Sequence, residues 1–531
     1  MATAIERVEA AASIWEYLNG AVEAYGDAVA FENYHNTLSF TEMGRLSDAL
    51  AAYLQNRMGV GKGTKVALMA PNMLAHPVCT MAILKCGAVQ VSVNPLYTPD
   101  ELEHQLKDSE TEAMILFSGS VPAFAAIRDR VGVRQVLVMQ LGDCGQNPLP
   151  GPEVPGDFAD YTLLADALAA GEGMGFAPVD VGREDLAFLQ YTGGTTGPSK
   201  GAMLSHGNLL SNVAQTWDVA RSVMVEREEI IVTALPMYHI FALMVNFLCY
   251  TGFGGKNILI TNPRDMDQFI SAIRDSGFTR INGVNTLYAG MMLHPDFAKV
   301  DFSRLKQAVG GGTATMQAVS DKWQSFTGKP ILEGYGLSET SPVLTMCPPE
   351  WTEFTGTIGH ALKDTDIKLL DDDDNEVPDG ERGELVCKGP QVMRGYYKRP
   401  DANAQAFTED GYFRTGDIAI RDEQGRYRIV DRKKDMVIVS GFNVYPNDVE
   451  QAATKCPGVQ ECACIGVPDE KTGEAVKLFV VREKGAEVTP EEIIAFCRRH
   501  LTPYKVPKQI EFIDEVPKSA VGKVLRRELR R

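Results

Sequence analysis

The chain has 531 residues, too many for one hydrophobic core, so at least two domains are expected. Hydrophobic residues make up 44% and charged residues 23%, the balance of a soluble globular protein. A net charge of −18 argues against nucleic acid as a partner and means that any phosphate ligand must meet locally concentrated positive charge.

The N-terminus, Met1-Ala-Thr-Ala-Ile-Glu-Arg7, has no basic stretch leading into an apolar core and is no signal peptide. Residues 1 to about 60 read as helical, with Ile14, Leu18, Val22 and Tyr25 at helical spacing. Lys65–Ala70 is a buried strand ending at Pro71, a helix follows to about Lys85, and Val89–Val93 is the next strand. Thr98-Pro-Asp-Glu101 is a capping box with proline at the first helical position. Strands at Ala113–Phe117 and Gln135–Met139 continue a βαβα rhythm, which argues for a mostly parallel sheet covered by helices.

Tyr191-Thr-Gly-Gly-Thr-Thr-Gly-Pro-Ser-Lys-Gly201 is the most informative stretch. It lies between the strand Leu186–Leu189 and a helix starting near Asn208. A glycine-rich turn lets backbone N–H groups cradle phosphate oxygens, the hydroxyls add donors, and Lys200 adds a mobile charge. It is no Walker A loop, because Gly201 follows the lysine. A flexible linker is the plain alternative, but a linker has no need of a Thr-Thr pair and a lysine at that place.

Strands are expected at Ile230–Ala234, Asn257–Ile260, Arg280–Val284, Gln307–Val309 and Ile331–Glu333, with a helix over Asp265–Ser276. The most apolar window, Ile240–Phe253, is too short to span a bilayer; peripheral membrane contact stays open. Beyond about Gly356 short strands broken by Gly, Pro and Asp mark a small β-rich subdomain. Its acidic run Asp371–Glu376 looks like a metal site, but a solvated hairpin turn fits better, since ligand spacing is absent. Asp431-Arg-Lys-Lys-Asp435 marks a boundary, followed by a compact α+β unit with a helix over Pro490–His500. Ten cysteines show neither a disulfide framework nor zinc spacing, Cys462-Ala-Cys464 being too close, so reduced thiols in a cytoplasmic setting are expected. The tail gathers Lys518, Lys523, Arg526, Arg527, Arg530 and Arg531 against Glu528 alone.

Seven separated stretches then occur in one order: Tyr191–Gly201, Leu235–Phe241, Glu333–Thr340, Tyr412–Asp417, Val430–Met436, Ser440–Pro446 and Pro517–Lys523. With them the chain resembles the adenylate-forming superfamily of acyl-CoA synthetases, luciferases and peptide-synthetase adenylation domains, from about Trp15 to Arg530. The likeness is strongest to bacterial long-chain fatty acid–CoA ligases. It implies an α/β fold with a large N-terminal domain of parallel-rich sheets and helices over residues 1–433, which includes the β-rich subdomain at about 356–430. A small mobile α+β C-terminal domain would cover residues 434–531. The implied reaction has two steps: a carboxylate attacks the α-phosphorus of Mg-ATP to give acyl-AMP and pyrophosphate, and the CoA thiol then displaces AMP.

By the same resemblance, Thr192, Gly194, Thr195, Thr196, Gly197 and Lys200 hold the phosphates, and Thr195 and Glu339 hold Mg²⁺. Gly311, Gly312, Glu333, Gly334, Tyr335, Gly336 and Ser338 surround the adenine, with the Tyr335 ring packed on it. Asp417 and Arg432 meet the ribose hydroxyls, and His239 shapes the acyl site. Lys523 bridges the substrate carboxylate and the α-phosphate, Lys434 is the hinge, and Gly441 leaves room for the pantetheine of CoA. Plainer readings stand beside these: a core tyrosine for Tyr335, a structural histidine for His239, a helix-start acid for Glu339, a surface ion pair for Asp417 and Arg432, and a solvated lysine for Lys523.

The chain departs from the family pattern at Gly194, at Pro198-Ser199, at Ser338 for threonine, at Thr313-Ala-Thr315 after the glycines, and at Leu243, where some long-chain members carry a gating tryptophan. The chain ends eight residues after Lys523, which favours free CoA over an attached carrier domain. The reading is thus a medium- or long-chain fatty acid–CoA ligase with fatty acid, ATP and CoA as substrates. It would be cytoplasmic and compatible with contact at the inner membrane face and with a homodimer. Its rivals are a short-chain or aryl acid–CoA ligase, an acyl-AMP ligase serving a separate carrier, and a non-catalytic adenylate-binding protein.

Overall fold

Two sheets of mainly parallel strands carry the first half of the chain in the computed structural model, which describes residues 2–192, 199–519 and 522–530. The chain divides into two units. The first is Met1–Gly356, Ala361–Thr365 and Gly389–Ala406; the second is Thr357–His360, Asp366–Lys388 and Phe407–Arg531.

In the first unit, one sheet runs in the order Thr162–Leu163, Gln135–Met139, Ala113–Phe117, Lys65–Met69, Val89–Val93, Leu186–Thr192, Lys200–Ser205. Only the last strand is antiparallel, paired to Leu186–Thr192. Val89–Val93 is buried at every position, as expected of a parallel strand covered on both faces. The other sheet runs Val343–Met346, Ile331–Gly336, Gln307–Gly310, Arg280–Gly283, Ile230–Thr233, Lys256–Leu259, Val29–Asn33, Asn36–Ser39. Buried Asn72 links the two sheets. Its amide donates to the Thr233 and Leu235 carbonyls at 2.9 Å and accepts from Met237 N at 2.8 Å.

Local signals explain the helices. The Thr98 box caps Pro99–Asp108, and a Ser205–Asn208 box starts His206–Ala220 directly after the strand Lys200–Ser205. The first 60 residues are not all helix as expected. Val29–Asn33 and Asn36–Ser39 form a hairpin between the helices Ile14–Tyr25 and Phe40–Met58. Its turn is Tyr34-His35, both with positive φ (48° and 63°), so it lacks the Asn-Gly signature of such turns. The apolar window expected near 240–253 is a buried π-helix, Ala242–Leu248, running into Cys249–Gly252. Among the described residues no helix is long and apolar enough to cross a membrane.

The second unit holds a four-stranded antiparallel sheet, Asp366–Leu370, Arg382–Lys388, Phe413–Arg421 and Tyr427–Arg432. A second sheet pairs Phe442–Val444, Val437–Val439, Gly473–Arg482 and Val459–Asp469, with Gln509–Phe512 added parallel to Gly473–Arg482. The helices Pro446–Ala453 and Pro490–His500 pack on it through Val449, Ala453, Ile493 and Cys497. The acidic run is a turn: Asp371 Oδ1 accepts from the backbone N–H of Asp373 and Asn375, both at 2.9 Å. Among the ten cysteines only Cys144 is less than fully buried.

Candidate functional site

Thr192 and Lys200, which flank the glycine-rich stretch in sequence, are direct partners across an antiparallel strand pair. Of the residues expected to hold phosphate, Gly194, Thr195, Thr196 and Gly197 lie outside the described residues. Thr192 and Lys200 are half-buried at its two ends. Ser199 is tied to the first sheet's helix layer, its carbonyl 3.0 Å from His104 Nε2.

Glu339 sits in a three-residue turn, Ser338–Thr340, just beyond the strand Ile331–Gly336. It is buried and accepts a 2.7 Å hydrogen bond on Oε1 from the Tyr396 hydroxyl. The Tyr396 ring in turn lies under Lys200, with Nζ 4.7 Å from its centroid. Burial, and then the Glu339 charge, push the Tyr396 phenol well above its ordinary pKa, so it remains a donor. A single chain of contacts therefore runs from Lys200 through Tyr396 to Glu339.

Residues that the sequence reading passed over hold this arrangement. The segment around Tyr396 lies along Lys200–Ser205: Tyr397 N donates to Gly201 O at 2.9 Å, and Met203 N to Gly395 O at 3.0 Å. Met393 N donates to Glu339 O at 2.7 Å. From the helix His206–Ala220, Asn208 Nδ2 donates to the Pro390 and Val392 carbonyls at 2.8 and 3.0 Å. One turn on, Asn212 brackets Val343, donating to its carbonyl at 2.8 Å and accepting from its N–H at 2.9 Å. Gln215 reaches Lys363 O at 2.6 Å. Asn208, Asn212 and Gln215 recur at helical spacing on a buried face, and that polar stripe was the signal available in the sequence.

Around the end of Ile331–Gly336, Gly311 lies against Phe241, whose ring would sit 2.8 Å from an added Cβ. Gly336 has no alternative: a Cβ there would fall 1.7 Å from Pro342 O in the neighbouring antiparallel strand segment. Glu333 points its Oε1 at Thr315 N, 2.8 Å away, inside the Thr313-Ala-Thr315 departure from the family pattern. Burial pushes its carboxyl up to about 7. Tyr335 and Ser338 are half-buried, Gly334 pairs with Met346 in the strand ladder, and Gly312 is exposed with positive φ. His239 precedes the π-helix; its Nδ1 accepts from Phe241 N at 3.3 Å. A groove of about 660 Å³ lined by Arg304, Lys306, Lys329 and Trp351 lies at the other, N-terminal ends of the strands and includes none of these residues. The motif residues keep to the carboxyl ends, where open α/β sheets bind ligands.

In the second unit, Asp417 and Arg432 are direct cross-strand partners, with Arg432 Nε 3.6 Å from Asp417 Oδ1. Lys434 is exposed within the turn Lys433–Asp435, and both neighbours are anchored. Lys433 pairs with Glu384 at 3.2 Å, and Asp435 with Arg530 at 3.1 Å. Buried Asp431 accepts from Asn447 N at 2.7 Å, and burial pushes its carboxyl up to about 7. Gly441 is at the exposed tip between Val437–Val439 and Phe442–Val444 with φ 84°. Its Cβ would meet nothing, so the turn geometry, rather than crowding within this unit, requires glycine there. Lys523 is half-buried in a loop closed by Ser519, whose Oγ accepts from Lys523 N at 3.1 Å.

The chain matches the AMP-binding enzyme family over residues 18–397 and the AMP-binding enzyme C-terminal domain over 448–523. It is 46% identical to a long-chain fatty acid–CoA ligase of Escherichia coli O6:H1, covering 98% of this chain and 94% of that protein. A ligase of the same description from Haemophilus influenzae is 44% identical with the same coverage. A crystal structure of ATP-bound MatB from Rhodopseudomonas palustris superposes with a TM-score of 0.86 at 30% identity over 98% of each chain.

Proposed function

The chain belongs to the AMP-binding enzyme family, and we propose that the two sets of residues described above divide a fatty acid–CoA ligase reaction between them. The enzyme activates a long-chain fatty acid with ATP and passes the acyl group to CoA. A fatty acid carboxylate oxygen bonds to the α-phosphorus as pyrophosphate leaves. The CoA sulfur then bonds to the acyl carbon, its proton is released, and AMP leaves.

In the first unit, Thr192, the Gly194–Gly197 stretch and Lys200 hold the phosphates that depart. Glu339 and Thr195 are the oxygen donors for Mg²⁺. The donor chemistry fits: a carboxylate offers about four lone-pair sites, of which Tyr396 occupies one. When bound, Mg²⁺ neutralises charge on the phosphates. The glycines at 311, 312, 334 and 336, with Tyr335 and Ser338, line the nucleotide base, and His239 with Phe241 borders the acyl site. In the second unit, Asp417 and Arg432 take the ribose hydroxyls. Lys523 neutralises charge developing at the α-phosphate and steers the carboxylate. Residues 434–531 act as a mobile lid turning about Lys434, with Gly441 beside the pantetheine. Buried cysteines without the spacing of a disulfide framework support a reducing, cytoplasmic setting, with peripheral membrane contact supplying the acyl substrate.

The Lys200–Tyr396–Glu339 chain is the observation that best supports this reading, because it gathers a cation and a hard carboxylate on one tyrosine side chain. The test is AMP release with and without CoA, across acids from butyrate to stearate plus benzoates and cinnamates. Medium- and long-chain acids should give the highest kcat/KM, with release dependent on CoA. AMP release indifferent to CoA, or a preference for aryl acids, would overturn the reading.

A further inference from the structure

The chain places a phenol between its candidate phosphate cation and its candidate metal carboxylate. Tyr396 is 9% exposed, donates to Glu339 Oε1 at 2.7 Å, and presents its ring face to Lys200 Nζ at 4.7 Å. Its backbone is fixed on both sides. Asn403 Oδ1 accepts from Tyr396 N at 2.7 Å, and Asn403 Nδ2 donates to Tyr396 O at 3.0 Å. Ala202 and Tyr396 form a β-bridge, which ties the tyrosine to the strand that Lys200 begins.

We propose that Tyr396 is a positioning residue for nucleotide binding: it aims the Glu339 carboxylate and, by standing between them, keeps Lys200 and Glu339 from closing on each other as an ion pair. This rests on the phosphate and metal roles proposed above for those two residues. A lysine and a glutamate this close to one ring would neutralise each other if they met directly, and neither charge would then serve a ligand. The ring offers Lys200 a weaker, non-neutralising partner, and the hydroxyl offers Glu339 a donor that leaves its charge intact. Glu339 stands on a turn of only three residues, whose backbone is held at the Glu339 carbonyl by Met393 N, and the Tyr396 hydroxyl is the donor that meets its carboxylate.

Two substitutions separate the functions of one side chain. Tyr396→Phe keeps the ring under Lys200 and removes the donor to Glu339; Tyr396→Leu removes both. The readout is equilibrium ATP binding by calorimetry on the full chain, with Mg²⁺ and again with EDTA. For Tyr396→Phe, the gain in ATP affinity due to Mg²⁺ should shrink about tenfold, while metal-free ATP affinity stays within about twofold. Tyr396→Leu should weaken ATP binding in both conditions. A purely structural tyrosine would move both conditions together in the Phe variant as well, and that result overturns the proposal. So does an unchanged Mg²⁺ gain in Tyr396→Phe. Glu339→Gln is the control. If it abolishes the Mg²⁺ gain while Tyr396→Phe does not touch it, only the role of Tyr396 falls. If Glu339→Gln leaves the gain intact, the metal reading of Glu339 falls and the positioning role falls with it. Should Tyr396→Leu not fold, the Phe variant decides alone.

Discussion

Lys200 and Glu339 in the first unit and Lys434 and Lys523 in the second are all candidate charges at one reaction, but they are built in differently. Glu339 is buried, and the strands and segments around it and Lys200 are locked by Tyr396, Asn208 and Asn212. In the second unit Lys434 stands on a turn and Lys523 in a loop, and the segments around them are anchored by ion pairs of neighbouring residues. Arg526 is the clearest of these: it donates to Glu450 at 2.8 Å and to Cys464 O at 3.2 Å, and its Nη1 lies 3.6 Å from Asp435. On the proposed roles, side chains that stay put are set among gripped segments, and side chains that arrive and leave are carried on a rigid mount.

The strongest challenge to that contrast is Lys523→Ala. It should lower adenylation, read as ATP–pyrophosphate exchange, by about 10²–10³-fold. Thioester formation from supplied acyl-AMP should stay within about threefold. Equal loss in both half-reactions would mean that Lys523 does not leave between steps. Arg526→Ala tests the mount: taking the buried guanidinium away from Glu450 and Asp435, which then keep Cys464 N and Arg530 as partners, should cost the second unit about 3 kcal/mol in urea unfolding. Asn212→Ala tests the grip. It removes the acceptor of the Val343 N–H and the shorter of two bonds to the Val343 carbonyl, the other coming from Gln391 Nε2 at 3.4 Å, and should cost the first unit about 2 kcal/mol, with weakened ATP binding because Glu339 lies on the same segment.

The smallest effect concerns pH. Burial raises the folded-state pKa of Glu333 to about 7, above the usual carboxylate value, so the native chain keeps a proton that the unfolded chain has lost. That contribution to stability is present below the unfolded pKa and is lost as pH rises through about 7. The urea midpoint of the first unit should therefore fall across this window, and Glu333→Gln should flatten the fall.

Motif order singled out the glycine-rich stretch, Glu339, Asp417 and Arg432 by their residue types, and the last two are cross-strand partners in the fold. The βαβ rhythm was legible in short-range pattern: Val66–Met69 is a continuous apolar run, and Val89–Val93 carries valine at every second position. The hairpin at 29–39 was not, since its Tyr34-His35 turn has no glycine and Val29–Asn33 is stabilised by pairing with Lys256–Leu259, more than 200 residues away. Tyr396 was missed on similar grounds. Nothing within its own segment reveals that its hydroxyl meets a carboxylate 57 positions earlier in the chain. Long-range pairing of polar groups is a property of the folded chain that short-range spacing does not encode.

The cysteines extend the comparison into chemical reactivity. Cys79, Cys86, Cys144, Cys249 and Cys347 belong to the first unit, and Cys387, Cys456, Cys462, Cys464 and Cys497 to the second. Burial holds Cys86 and Cys249 up at about 12 and Cys497 at about 11, and it drives Cys79, Cys462 and Cys464 higher still. For these six thiols almost no thiolate exists at neutral pH while the unit around each is closed, so their alkylation must wait for opening. Pulsed labelling followed by peptide mapping would then time the breathing of each half separately, using tags the chain already carries.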